Sequence, residues 1–218
     1  MSGIISSSAM EVSLLSCLQV TSASLSAVLK TPQILAILSR RSVAGLSRTS
    51  LLIELWNFMM TVSYSAHFGY PRSLYGEYAP LILQDLLILG LVVSLSSQSC
   101  FPTNRQMIVI VVAAAAIHAA IAFHLVPSVV PVSLILTGLP SGIVSRVVQI
   151  REVLRRKDSG NLSAATWALA FVTTGCRMTA NLLTVRDPIL LFRVGSATAL
   201  NAVLVVVIRI YRSKGKVE

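Results

Sequence analysis

Residues 30–47 read KTPQILAILSRRSVAGLS, and residues 146–163 read RVVQIREVLRRKDSGNLS. A shift of 116 residues lays the second on the first, with Gln149 under Gln33 and Ser163 under Ser47. A polar, helix-unfriendly corner at the end of an apolar run therefore occurs twice in one chain. Pro32 removes a backbone donor and strains the turn before it, which makes a place to bend. Gln33 brings an amide that can satisfy the backbone groups freed there, and the second copy keeps the glutamine but has Val148 in place of the proline. The two corners are expected not to bend alike. Arg40 and Arg41 suit the end of the first helix, Gly45 permits a turn, and Ser47 can cap the helix that follows.

Outside these corners the chain is apolar. Of its 218 residues, 55% are hydrophobic and 12% charged, with a mean hydropathy of +0.79, too apolar for a water-facing surface. The reading is a membrane protein. The net charge of +10 raises nucleic acid as a partner, but the basic residues sit in short connectors between apolar runs, which is the pattern of a chain oriented in a bilayer. Nucleic acid is set aside as a partner. Cys17, Cys100 and Cys176 lie far apart with no C-x-x-C pair, so neither a disulfide framework nor a zinc site is suggested. Residues 1–29 have no basic leader and include Glu11 and many serines, so they are read as an uncleaved first helix and not as a secretory signal.

A hydrocarbon core of about 30 Å needs roughly 20 apolar residues per helix. Seven stretches approach that length: 10–29, 49–67, 77–97, 106–126, 132–150, 164–184 and 189–211. The first is diluted by serines, Gln19 and Thr21, so its polar face is expected to be buried against other helices. With the N-terminus outside, 14 of the 18 basic residues fall on inside connectors, Lys30 and Arg146 among them. That bias puts the N-terminus in the lumen and the C-terminus in the cytosol. Tyr70, Tyr75 and Tyr78 cluster at the expected outer boundary and Trp167 near the inner one, as interfacial anchors do.

The same offset of 116 superposes span 2 on span 6 and span 3 on span 7, leaving span 4 unpaired. The fold class is thus an all-α membrane protein of seven transmembrane helices, two parallel three-helix repeats joined by a linker helix in a 3+1+3 order. The expected divisions are 1–100 for the first triplet, 101–130 for the linker and 131–218 for the second triplet with a cytosolic tail.

Paired P-Q and G-L-S signatures on a seven-span chain resemble the PQ-loop family, relatives of the SWEET sugar transporters and of lysosomal cystine and cationic amino-acid exporters. The stretches LKTPQILAIL, RSVAGLS, LLIEL, FGYPRSLYGEY, LILQDLLIL and KDSGNLSAATW carry the resemblance. It implies carriage of a small polar solute by alternating access between the repeats, and it makes Pro32, Gln33 and Gln149 the hinge motif.

An ionisable group at membrane depth costs about 2.5–3.5 kcal/mol on insertion scales, so Glu54, Asp85 and Arg177 need partners or water. The offset pairs Asp85 with Asn201, and these matched positions resemble the asparagine pair that lines the sugar site in SWEET relatives. Span 2 presents Glu54, Asn57, Thr61 and Tyr64 on one face, and span 6 presents Thr173, Arg177, Asn181 and Thr184. Counting about 1.5 Å per residue places Asp85 and Arg177 both roughly 10–12 Å from the outer boundary, where they could pair. Glu54 lies closer to the inner boundary, near the basic connectors. The candidate substrate-binding set is Asp85, Asn201, Asn57, Arg177 and Asn181, with Asp85, a carboxyl held deep in the bilayer, as the candidate for proton coupling. The alternative is a fixed Asp85–Arg177 salt bridge with the polar stripes serving only helix packing.

His118 falls in the unpaired span, while His67 and His124 fall near the outer boundary, where a solvated or interfacial role is the ordinary one. The three lack the spacing and acidic company of a metal site. No phosphate-binding G-x-x-x-x-G-K loop and no G-x-S-x-G elbow occurs, so enzymatic catalysis and cofactors are not expected. The final residues, KGKVE, resemble a K-x-K-x-x retrieval signal and also suit simple anchoring at an anionic leaflet. Two functions remain open: a carrier of a small polar solute, either a facilitator or proton-coupled, in the endoplasmic reticulum or another endomembrane, and, as the resemblance to a family relative that serves dolichol-linked sugar use implies, a non-transporting membrane factor assisting the use of dolichol-linked sugars. The lipid bilayer is the expected partner, and a homo-oligomer is compatible with either. The sequon at Asn161–Ser163 falls on the cytosolic side of this topology. Asn161 is expected to stay unmodified, so glycosidase treatment of the protein from a eukaryotic membrane should leave its mobility on a gel unchanged.

Overall fold

The computed structural model describes residues 2–43, 48–95, 102–157 and 164–211, with backbone only for 2–12, 36, 40, 156 and 164–166. Gly45, Ser47, Cys100, the Asn161–Ser163 sequon and the tail with Lys214 and Lys216 lie outside the described residues. Nine helices appear among the described residues: α1 (Ser2–Val28), α2 (Thr31–Arg40), α3 (Arg48–His67), α4 (Arg72–Tyr75), α5 (Tyr78–Leu95), α6 (Asn104–Ala122), α7 (Val129–Arg156), α8 (Ala164–Thr184) and α9 (Pro188–Ile210). Seven of them are long and match the seven expected spans; α4 is a single turn that leads into α5. The segments Arg72–Leu95, Asn104–Ala122, Val129–Arg155 and Pro188–Ile210 are long and apolar enough to cross a membrane. The other three, α1, α3 and α8, are diluted by the polar residues read from the sequence, and Ser22, Ser26, Thr61, Ser63, Ser65, Thr173 and Asn181 are buried.

The main departure from expectation is at the first corner. The span read as ending at residue 29 breaks at Leu29–Lys30 and resumes as α2, which runs on to Arg40 and closes on Arg41 at φ 45°. Pro32 sits in the first turn of α2, where a missing N–H costs no intrahelical bond. The proline therefore starts a second helical segment about 15 Å long, and the break lies well inside the helical run instead of at its end. The second copy, with Val148 in place of the proline, stays in one continuous helix, α7, which has Pro131 in its first turn and Pro140 in its interior. The two corners differ, as expected.

The described chain packs as two compact units, Ala23–Ile135, and Met1–Ser22 with Leu136–Glu218. Their boundaries fall inside α1 and α7, so these units do not coincide with the divisions at 100 and 130. In the first unit α3 packs against α5 and α6, and α2 against α5. Its core is Ile37, Leu51, Leu55, Ile88, Leu89, Val92 and Met107. The expected linker span, α6, buries only the stripe Met107, Ala114, His118 and Ile121, and its other faces present Ile108, Val109, Ile110, Val112 and Ile117 outward. Apolar side chains facing outward suit lipid. A capping box of Thr103 and Gln106 starts this helix, and Arg48 Nη1 donates to Pro102 O at 2.8 Å, which fixes the start of α3 to the loop before α6. In the second unit α8 packs along α9, with Gly195 of α9 opposite the side chain of Met178.

Asp187 caps α9, its Oδ1 accepting from the backbone N–H groups of Ile189 at 2.8 Å and Leu190 at 2.9 Å ahead of a helix that begins with Pro188. Asp187→Ala should cost about 1 kcal/mol, read as a lowered melting temperature in detergent, and Asp187→Asn should retain most of the cap.

Candidate functional site

The break between α1 and α2 exposes backbone groups that have no partner within either helix. One amide closes it. Gln84 of α5 accepts from the Lys30 backbone N–H at 3.1 Å through Oε1, while its Nε2 donates to Ser26 O at 3.3 Å and to Ala27 O. Gln33, to which the sequence reading gave this task, is half-buried in α2. The donor and acceptor ends of a side-chain amide match an orphan carbonyl and an orphan N–H at once, which explains why a glutamine stands at position 84 in an otherwise apolar helix.

With the break held there, the Lys30 side chain turns inward. It is 7% exposed, pairs with Asp85 Oδ1 and with Glu54 Oε2 at 2.7 Å, and lies 5.5 Å from the centre of the Phe58 ring. Asp85 is fully buried, whereas the Glu54 side chain is 42% exposed. Asp85 is the eighth residue of the 18 in α5, so the cluster sits at mid-helix. The cation at Asp85 is thus Lys30, where depth counting had offered Arg177. Glu54 does meet a basic residue of the expected connector, but Lys30 itself is a buried residue. Two carboxylates share one ammonium, which leaves one negative charge in excess. Asp85 Oδ2 is buried and has no hydrogen-bond partner among the described residues.

The second unit contains the same arrangement at the same offset. Arg146, the equivalent of Lys30, donates from Nε to Asn201 Oδ1 at 2.8 Å, and Asn201 is the equivalent of Asp85. Asn201 Nδ2 in turn donates to Thr174 Oγ1 at 3.3 Å, and Thr174 is the equivalent of Phe58. Arg146 Nη1 donates to Gly142 O at 2.9 Å. Asn201 is fully buried and is the 14th residue of the 23 in α9, again mid-helix. The sequence reading paired Asp85 with Asn201 and missed the cation on each side, Lys30 and Arg146, because both were counted as cytosolic connectors. The signal that finds them is the offset itself. Without these two, 12 of the 18 basic residues still fall on the side expected to be cytosolic.

The polar stripes turn partly onto their own helices. Asn57 Nδ2 donates to Ile53 O at 2.8 Å, Thr61 Oγ1 to Asn57 O at 2.9 Å, Thr173 Oγ1 to Leu169 O at 2.9 Å and Asn181 Nδ2 to Arg177 O at 3.0 Å. Asn57 belongs to the first unit and Arg177 and Asn181 to the second. Gln149, in α7, has a buried Oε1 with no hydrogen bond among the described residues. His67 is buried and not solvated: Nδ1 bonds Ile121 O at 2.9 Å and Nε2 bonds Ser128 Oγ at 3.1 Å. His118 bonds Ser63 Oγ at 3.0 Å and lies tilted against the Trp56 ring, with centroids 4.6 Å apart. These histidines hold α6 and its following loop to α3. Tyr78, read as an interfacial anchor, is buried beside Phe58. No group of three metal-ligating side chains occurs among the described residues.

Comparison with known proteins gives matching results at three levels. A sequence model of the PQ loop repeat matches residues 14–74. Solute carrier family 66 member 3 of Homo sapiens is 32% identical over 203 residues, 93% of this chain and 96% of that one. The 3.7 Å structure of a eukaryotic SWEET transporter superposes with a TM-score of 0.68 at 16% identity, covering 91% of this chain and 98% of that one. That likeness shows the seven-helix 3+1+3 fold.

Removing one partner of a buried ion pair leaves the other uncompensated. Lys30→Met should destabilise the protein by on the order of 3–5 kcal/mol, and adding Asp85→Leu should recover most of that loss. Thermal unfolding of the single and double variants in detergent measures the coupling; simple additivity would show that Lys30 and Asp85 act independently.

Proposed function

The chain belongs to the PQ-loop repeat family, and from that premise we propose that it carries a small polar solute across an endomembrane by alternating access between its two repeats. The observation that supports the reading most is the duplicated mid-helix contact, Lys30–Asp85 in one repeat and Arg146–Asn201 in the other. Charged groups are costly at this depth and as a rule mark the path of a solute or ion. A protein whose only task was to hold seven helices together would be served equally well by apolar packing there. The similarity to a protein called a solute carrier and to the fold of a SWEET transporter points the same way.

The first cluster has the form of a switch. Lys30 is shared between a sealed carboxylate, Asp85, and a half-exposed one, Glu54. Protonation of Asp85 would free the ammonium to stay with Glu54 and bring the cluster from one net negative charge to neutrality. The break between α1 and α2, which holds Lys30 in place through Gln84, is where such a shift would be transmitted along the helix. Glu54, Asp85 and Lys30 are accordingly assigned to coupling.

The test is uptake into proteoliposomes, screening sugars, amino acids and nucleotides with and without an imposed pH gradient. Flux of at least one solute class is expected, and if it responds to the gradient, Asp85→Asn should remove that response. Uptake by Asp85→Asn with its pH dependence intact would rule out Asp85 as the proton carrier. Binding of dolichol phosphate with no flux of any small solute would favour the non-transporting reading.

A further inference from the structure

The two equivalent contacts differ in charge. Lys30 is matched inside the fold by two carboxylates, Asp85 and Glu54. Under the offset of 116 these become Asn201 and Ala170, so both acids are replaced by neutral residues while the cation is kept and changed to arginine. Arg146 meets an amide oxygen at 2.8 Å and a backbone carbonyl at 2.9 Å, and among the described residues it forms no ion pair. A guanidinium is a rigid fork with five donors. Here Nε and Nη1 are fixed by protein acceptors, and Nη2 has no hydrogen bond among the described residues, on a half-buried side chain that is not sealed off. The fork is therefore oriented in advance, carries an unbalanced positive charge at mid-helix, and lacks only an acceptor of opposite sign.

We propose that Arg146 binds an oxyanion, a carboxylate or phosphate group, oriented by Asn201. Two oxygens of a carboxylate or phosphate group can take the free edge of the guanidinium, and the charge would supply what Asp85 and Glu54 supply to Lys30. Identifying that anion as the carried solute rests on the carrier reading above; the binding itself does not. The solute would then be an acid, such as a sugar phosphate or sugar acid, and not a neutral sugar.

The experiment uses the full-length protein in neutral detergent, at ionic strength matched with chloride. Thermal unfolding is followed with inorganic phosphate, glucose 6-phosphate and gluconate, with glucose as the neutral control. At least one of the three anions should raise the melting temperature of the wild type, and glucose should not raise it equally. Arg146→Gln should abolish the effect. Asn201→Asp gives Arg146 the internal carboxylate that Lys30 already has, so this variant should fold with undiminished stability and bind the same anion about tenfold or more weakly. It carries the test should Arg146→Gln fail to fold. Repeating the titration in phosphatidylcholine nanodiscs with and without phosphatidic acid tells a soluble anion from a lipid headgroup: stabilisation by phosphatidic acid that is lost in Asn201→Asp assigns the oxyanion to lipid. No response to any anion or to phosphatidic acid, or an unchanged response in Asn201→Asp, overturns the site. Anion binding without uptake by the wild type would remove the carrier reading alone, whereas uptake of neutral solutes with no anion response would remove the site alone.

Discussion

An ammonium at mid-helix, held between a sealed carboxylate and a half-exposed one, is the constraint around which the first unit is arranged. Lys30 meets Asp85 where the helix breaks just before it, and Gln84 bonds both open ends of that break. Neighbouring residues of α5, Gln84 and Asp85, thus fix the backbone and the side chain of one position on another segment. The apolar residues around them follow from this: Leu51 and Leu55 flank Glu54 on α3, and Ile88 and Leu89 lie one turn beyond Asp85 on α5. By excluding water they make the electrostatic contacts stronger and the loss of any one partner more costly.

In the second unit the geometry of that contact is kept while its charge balance is changed. A cation on α7 meets a polar residue at the middle of α9, as a cation before α2 meets one at the middle of α5. The backbone differs, since α7 runs unbroken through the position where the first repeat bends. One repeat therefore joins a broken helix to an internally compensated cluster, and the other joins a continuous helix to a cation that has no ion pair among the described residues.

Periodicity, the 116-residue offset and hydropathy were enough to read seven spans, their repeat and the Asp85–Asn201 equivalence from the sequence, because each is a property of spacing along the chain. The partners of those two residues were not read correctly. In sequence, Pro32 reads as the end of a helix, which sets Lys30 before it and Arg146 in the equivalent place in connectors, although a proline in the first turn of a helix equally marks a beginning. Gln33 was given the closing of the break because it is adjacent in sequence, whereas the amide that performs it comes from 54 residues away. Depth counting could set Asp85 level with Arg177, but not decide which cation lies on the same side of the helix. The burial of His67 depends on Ile121 and Ser128, which no local pattern connects to it.

The uninterrupted length of α7 has a mechanical consequence. Its 28 residues span about 42 Å, well beyond a hydrocarbon core of about 30 Å. Arg151, Arg155 and Lys157 therefore extend toward the headgroup layer, with Arg155 paired to Glu152 at 2.8 Å. From that anchorage Arg146 lies a fixed distance down the rod, between Pro140 and the basic end. Bilayer thickness, through hydrophobic mismatch, thus sets how deep this guanidinium sits, and a membrane thicker or thinner by a few ångströms would tilt the rod and shift the charge with it.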